Sequence, residues 1–257
     1  MLSLEQILSF YPEGMRKFRG NILREYLQYK ILEAVFGTSY APRLSLMGGT
    51  CIHLVHGSPR FSEDLDFDND ALTALEFRKL ASLVEKELRL EGYTVELETT
   101  ERGAFHGYFR FPSILHESGL TGHRTQKLLI QLDTEPQGFS YLKQPMILNK
   151  FDVFCRVLTV PPDILLSQKY LCILSRPRPM GRDFYDASFL MGKTAANLDY
   201  LKAKTGVRSI SEVKERLINR CNELDLRELA ADVEPFVIKP GDVDRVLSFT
   251  ELISHSW

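Results

Sequence analysis

From Arg60 to Asp70 the chain reads RFSEDLDFDND, and this stretch narrows the possible folds more than any other. Aspartates stand at 64, 66, 68 and 70, interleaved with Leu65 and Phe67 and preceded by Phe61. Alternation with period two marks a strand that buries one face. If 60–68 is extended, Arg60, Ser62, Asp64, Asp66 and Asp68 share one face. Phe61, Leu65 and Phe67 share the other, with Glu63 the exception. Neighbours on one face lie roughly 6 to 7 Å apart. At that separation two unit charges repel by about 2 to 3 kcal/mol at an effective dielectric near 20. A strand pinned by its apolar face cannot relax far, so the acidic face needs a positive partner. Mg²⁺ suits it, because this ion is held by one or two carboxylates together with substrate phosphates.

Three rival arrangements compete with a magnesium site. An EF-hand loop starting at Asp64 requires Gly at its sixth position and Glu at its twelfth. The chain has Asn69 and Leu75 there, so that motif is absent. A glycosidase acid/base pair rarely sits i, i+2 on one strand. A solvated acidic edge that discourages strand aggregation remains, and the stretch by itself leaves this and a metal site equally open. The preceding segment separates them. LSLM (44–47) reads as a short apolar strand running into Gly48 and Gly49, with Thr50 as the N-cap of a helix over TCIHLVHG. Glycines let backbone approach a ligand closely, and free N–H groups at a helix start favour phosphate. The pair fits neither a Walker loop nor G-x-G-x-x-G. A phosphate cradle one short helix away from a carboxylate face is an arrangement that binds a nucleoside triphosphate with metal.

Elsewhere the periodicities predict an α+β protein. Ser3 and Gln6 form a capping-box pair before a short helix. Residues 13–36 read as an amphipathic helix closed by Gly37, and 71–90 as a helix with Leu72, Leu75, Leu83 and Leu88 toward the core. YTVELETTE and AFHGYFRF read as strands paired around Arg102-Gly103, HESGLTGHR as a loop, and KLLIQLD and 150–160 as strands. After Pro161-Pro162 the pattern is helical throughout, over 163–175, 182–191, 194–204, 210–223, 226–232 and 242–254. The chain divides into a mixed α/β lobe, 1–160, and a helical lobe, 161–257. His53 and His56 share a helix face without a third ligand, which argues against a metal there. No segment supplies about 18 uninterrupted apolar residues, and the N-terminus has no signal-peptide pattern. With four scattered cysteines this predicts a cytoplasmic protein with reduced thiols and no membrane contact. The net charge of −2 and pI near 6.3 require any nucleic-acid contact to come from a local basic patch.

GGT followed by RFSEDLDF resembles the signature of nucleotidyltransferases with a DNA polymerase β-like core. More narrowly it resembles the AbiEii/AbiGii (MenT-like) toxin family. KYLCILSRPRPMGRDFYD resembles that family's second motif, a helix lysine followed by arginines and an R/K-D-x-Y-D turn. The resemblance spans roughly residues 20–230 and is specific at the two motifs. It implies a polymerase β-like mixed sheet plus a C-terminal helical lobe, with the active site in a cleft between lobes. Asp64 and Asp66 become metal ligands, joined by Asp133 at the end of KLLIQLD, which on pattern alone could equally begin the next turn. Together they would hold two Mg²⁺. Asp68 is an extra acid outside the D-x-D pair. Lys169, Arg176 and Arg182 become phosphate contacts alongside Gly48, Gly49 and Thr50, with Arg178 in the same basic patch. Arg60 and Ser62 either touch the phosphates or brace the acids. Asp183 and Asp186, i, i+3 on one helix, compete for the role of orienting Lys169 or an arginine, with Asp183 favoured. The implied reaction transfers a nucleotide from NTP to RNA, the tRNA 3′ end foremost, in a growth-arresting toxin opposed by a cognate antitoxin. The rival expectations are a nucleotidyltransferase acting on a protein or small molecule, and a non-catalytic NTP-binding module.

Overall fold

The computed structural model describes residues 1–255, and of Arg102 only the backbone. The chain forms two compact units. One comprises Met1–Val55, Phe61–Gly138 and Lys143–Thr159; the other comprises His56–Arg60, Phe139–Leu142 and the chain from Val160 onward.

The first unit is built on a mixed sheet. In chain order it contains α1 (Leu4–Ser9), α2 (Arg19–Phe36), β1 (Leu44–Met47), α3 (Gly48–Leu54), β2 (Leu65–Asn69), α4 (Ala74–Leu90), β3 (Glu96–Arg102), β4 (Ala104–Phe111), α5 (Ile114–Glu117), β5 (Leu128–Glu135), β6 (Gln144–Lys150) and β7 (Val153–Thr159). Among the described residues the strands run β3-β4-β5-β2-β1-β7-β6. β2 is central, antiparallel to β1 and parallel to β5. Its Leu65 and Phe67 are fully buried. The same face carries Phe105, stacked 5.4 Å from Phe77 of α4, while Phe67 lies 6.1 Å from Phe36 of α2. Alternation along β2 therefore directs its aspartates to the opposite face.

Several expectations need revision. The second helix begins at Arg19, because residues 13–15 form a separate 3₁₀ turn. It is buried over every residue from Glu25 to Leu32 rather than along one stripe. α4 starts after Thr73, whose capping box with Glu76 sets its phase, and that phase exposes Leu75 and Leu83 while burying Phe77, Leu80, Ala81 and Val84. β6 lies outside the expected strands: it is an edge strand carrying Pro145, with most side chains outside the core, which removes the apolar alternation that marks a strand. Part of the expected HESGLTGHR loop is helical, since α5 includes His116 and Glu117.

The second unit contains α6 (Pro162–Ser175), α7 (Gly181–Met191), α8 (Leu198–Thr205), α9 (Ile210–Asn222), α10 (Leu226–Val233), α11 (Asp244–Leu247) and α12 (Phe249–His255). Ser209 caps α9 by accepting from the Glu212 amide. α8 starts at Leu198, with Asn197 as cap, rather than at 194, and the helix expected over 242–254 is two helices interrupted at Ser248. The short segment 56–60 joins this unit: Ile238 N–H donates to the Pro59 carbonyl at 3.1 Å, and Arg60 pairs with Val237 in an isolated bridge.

Candidate active site

In the first unit, the parallel register of β2 and β5 places Asp66 opposite Asp133, and that of β4 and β5 places His106 opposite Asp133. One row across the sheet thus reads His106, Asp133, Asp66, Met47. Asp133 lies inside β5 rather than at its end, with Thr134 and Glu135 continuing the strand. His106 Nδ1 is 2.7 Å from Asp133 Oδ1, and Gln131 Nε2 donates to both Asp133 oxygens at 2.9 Å. These contacts fix the carboxylate while leaving it about a quarter exposed. His106 and Gln131 have no signal in the sequence beyond lying on strands, since only the register brings them to Asp133.

Gly48 is required twice at this site. Its φ is +70°, and a Cβ there would stand 2.1 Å from Asp66 Oδ2. No side chain fits between this turn and the carboxylate. Thr50 is not the expected N-cap. Met47 holds that position, and Thr50 is a buried residue inside α3 whose hydroxyl donates to the Asp64 carbonyl. Thr50 thereby ties the helix to the start of β2. Gly49 is buried on the same first turn. The strand begins only at Leu65, so residues 60–68 do not share one alternating face. Ser62 and Glu63 lie in a non-strand lead-in, their carbonyls held by Gln28 Nε2 at 3.0 and 2.9 Å. Asp68 is buried and accepts the Gln137 N–H at 2.8 Å, which anchors the chain after β5.

Among the described residues no three His, Cys, Asp or Glu side chains are gathered closely enough to hold a metal by themselves. The donor set still suits a hard cation. Asp66 and Asp133 offer carboxylate oxygens from adjacent strands, and hydrogen-bonded carboxylates are the usual form of metal ligand. Mg²⁺ completes its shell with phosphates and water.

The second unit collects the remaining predicted residues. Arg60, expected on the carboxylate face, is instead 2% exposed and donates through Nε and Nη2 to Asp186 Oδ1 and Oδ2 at 2.7 and 2.6 Å. Lys169 Nζ stands 3.1 Å from Asp183 and 3.0 Å from Asp186. Arg176 Nη1 is 2.9 Å from Asp183 Oδ2. Both acids therefore orient Lys169: Asp183 shares it with Arg176, and Asp186 with Arg60. Burial alone would raise the Asp186 pKa, but Arg60 and Lys169 outweigh it and hold the carboxyl below its usual range. Burial alone would lower that of Lys169, yet Asp186 and Asp183 hold the ammonium above its usual value. Arg182 is half-buried on α7, and Arg178 is exposed on the preceding loop.

A family model described as the nucleotidyl transferase AbiEii toxin of a type IV toxin–antitoxin system matches residues 30–247. JHP933 from Helicobacter pylori matches the fold with a TM-score of 0.56 at 15% identity, over 92% of this chain and 91% of that one. MenT4, a nucleotidyltransferase toxin from Mycobacterium tuberculosis H37Rv, gives 0.57 at 13% identity, over 99% and 90%. At these identities the structural likeness speaks for the fold alone. No curated protein sequence matches the chain. No described helix is long and apolar enough to cross a membrane. The match over most of its length makes the chain a member of the AbiEii nucleotidyltransferase toxin family, and it is a nucleotidyltransferase.

Proposed function

We propose that this nucleotidyltransferase moves the nucleoside monophosphate of an NTP onto RNA, with the 3′ end of tRNA as acceptor and pyrophosphate as leaving group. A cognate antitoxin opposes it. The observation that carries the reading is the in-register pair Asp66 and Asp133, with the Asp66 carboxylate seated against Gly48. Two such carboxylates roughly 5 Å apart repel by about 3 kcal/mol at an effective dielectric near 20, a cost that a bound cation reverses.

Asp64, Asp66 and Asp133 would hold the divalent cation, in the full form two Mg²⁺. When bound, Mg²⁺ neutralises charge on the phosphates and acidifies a hydroxyl it contacts. The chain's own residues do the rest. Gly48 and Gly49 let backbone amides approach the triphosphate. Thr50 holds Asp64 in place through its carbonyl, and Ser62 lies on the lead-in to the acids. His106 and Gln131 orient Asp133, and one aspartate of the group takes the proton from the acceptor hydroxyl. Lys169, Arg176 and Arg182 supply positive charge to the nucleotide phosphates. Asp183 aims Lys169 and Arg176, while Arg60 and Asp186 fix Lys169 from its other side.

The test uses Mg²⁺, each α-labelled nucleotide and a cell extract. Label on tRNA that disappears with Asp66→Ala supports the reading. Label on protein or a small molecule moves the acceptor to those classes. Nucleotide binding with no labelled product removes the transfer step.

A further inference from the structure

On the helical unit, a cavity of about 510 Å³ lies among α6, α8 and α9. Leu171 and Leu174 contribute apolar wall, Ser175 and Thr205 contribute hydroxyls, and Lys204, Arg216 and Arg220 contribute cations, against Glu223 as the acid of the lining. This positive excess runs against the chain's net charge of −2. The cations stand where two helices end. Arg216 Nη1 donates to the Thr205 carbonyl at 3.4 Å at the end of α8. Arg220 donates to the Ile173 and Arg176 carbonyls at 3.4 and 3.1 Å at the end of α6. A helix C-terminus carries only about half a negative charge, so these carbonyls offset the guanidinium groups only in part. Lys204 Nζ lies 5.7 Å from the centre of the Tyr200 ring, and Arg216 also pairs with Glu212 at 2.6 Å and Arg220 with Glu223 at 2.9 Å, both partly open to solvent. Such pairs contribute little and exchange readily for a better anion. A guanidinium fork matches a phosphate oxygen pair. Arg176, whose carbonyl Arg220 holds, directs its own side chain to Asp183, which links Arg220 of the lining to the Lys169 cluster within this unit.

We propose that this cavity is a seat for a backbone phosphodiester of the RNA acceptor, with the phosphate between Lys204 and Arg216 and the attached ribose against Leu171 and Leu174. The inference rests on the reading of RNA as acceptor. It supplies the local basic patch that a chain of this pI needs in order to hold RNA.

Binding of a tRNA to the full chain is measured without nucleotide from 50 to 200 mM salt, for wild type, Lys204→Ala, Arg216→Ala and the pair. The expected result is affinity about 5- to 20-fold weaker for the pair at low salt, with log K against log salt shallower by about 1 to 2. Arg216→Lys should recover part of the affinity. The single Lys204→Ala change, at an exposed side chain, keeps the test sharp if the pair melts early. Unchanged affinity and slope overturn the proposal, as does wild type that binds no tRNA. Loss of NTP affinity in place of RNA affinity also overturns it, because the cavity would then serve the nucleotide. Failure of the RNA reading itself shows separately, as wild type that transfers label to no RNA.

Discussion

Two acid-bearing regions of this chain use the same residue types to opposite ends. On the sheet unit, Asp133 takes its hydrogen bonds from an imidazole and an amide and stays partly open, registered beside Asp66. On the helical unit, Asp183 and Asp186 are 1% and 0% exposed, and Lys169, Arg60 and Arg176 meet them at hydrogen-bonding distance. The first arrangement leaves carboxylate oxygens partly open to solvent. The second consumes them in holding cations at defined positions. On the function proposed here, an acid's environment separates chemistry from scaffolding better than its place in a motif does.

Each half of this contrast can be broken on its own. The largest stability effect belongs to Asp186→Ala, which strands Arg60 and Lys169 in the interior. We expect about 3 to 5 kcal/mol lost in urea melts, and a loss below about 1 would return Asp186 to the reactive class. Glu25 sharpens the comparison, because it lies on the sheet unit yet is buried between His53 at 2.9 Å and Lys150 at 2.7 Å. Burial alone would raise its pKa, but these two partners hold it at about 2. A depressed carboxyl stabilises the fold above its unfolded pKa and loses that contribution as pH falls toward the folded value. Acid melts should therefore lose up to about 3 kcal/mol from this group between about pH 4.5 and pH 2, and Glu25→Gln should lack that portion of the limb.

The next effect in size is Gly48→Ala, where both the positive φ and the approach to Asp66 oppose a methyl group. About 1 to 3 kcal/mol of strain should appear as transfer slowed roughly 10- to 100-fold, read with labelled nucleotide. Wild-type rates would mean the Asp66 carboxylate can move aside at no cost to the reaction. The smallest is His106→Ala. Loss of one hydrogen bond to Asp133, worth about 1 kcal/mol, should slow transfer roughly 3- to 10-fold with an unchanged melt, and His106→Asn should restore part of the rate.

Much of this is legible in the sequence. LSLM, KLLIQLD and the alternation of Leu65 and Phe67 mark three adjoining strands, since buried strands announce themselves through apolar period. The capping pair of Ser3 and Gln6 places a helix start to the residue. Arg60 shows where alternation stops being informative. It assigns a face only while the chain stays extended, and here the strand begins five residues later. The partners of Arg60, Asp186 and Val237, are far along the sequence and leave no local trace. His106 escapes notice because cross-strand neighbours depend on register, which β4 and β5 settle by packing Phe105, Phe109, Ile130 and Leu132 on the helix-covered face. Leu75 and Leu83 fall on the wrong side because the capping box at Thr73 fixes a helical phase that several leucine spacings satisfy equally well.

The most direct test is transfer from α-labelled NTP to tRNA by wild type and by Asp66→Asn, a change at a half-buried side chain that keeps its shape. We expect a fall of at least about 1,000-fold, near 4 kcal/mol in barrier, with a metal-free thermal melt no lower than that of wild type. Equal labelling by the two proteins would contradict the metal-binding role of the paired aspartates and take them out of the reaction.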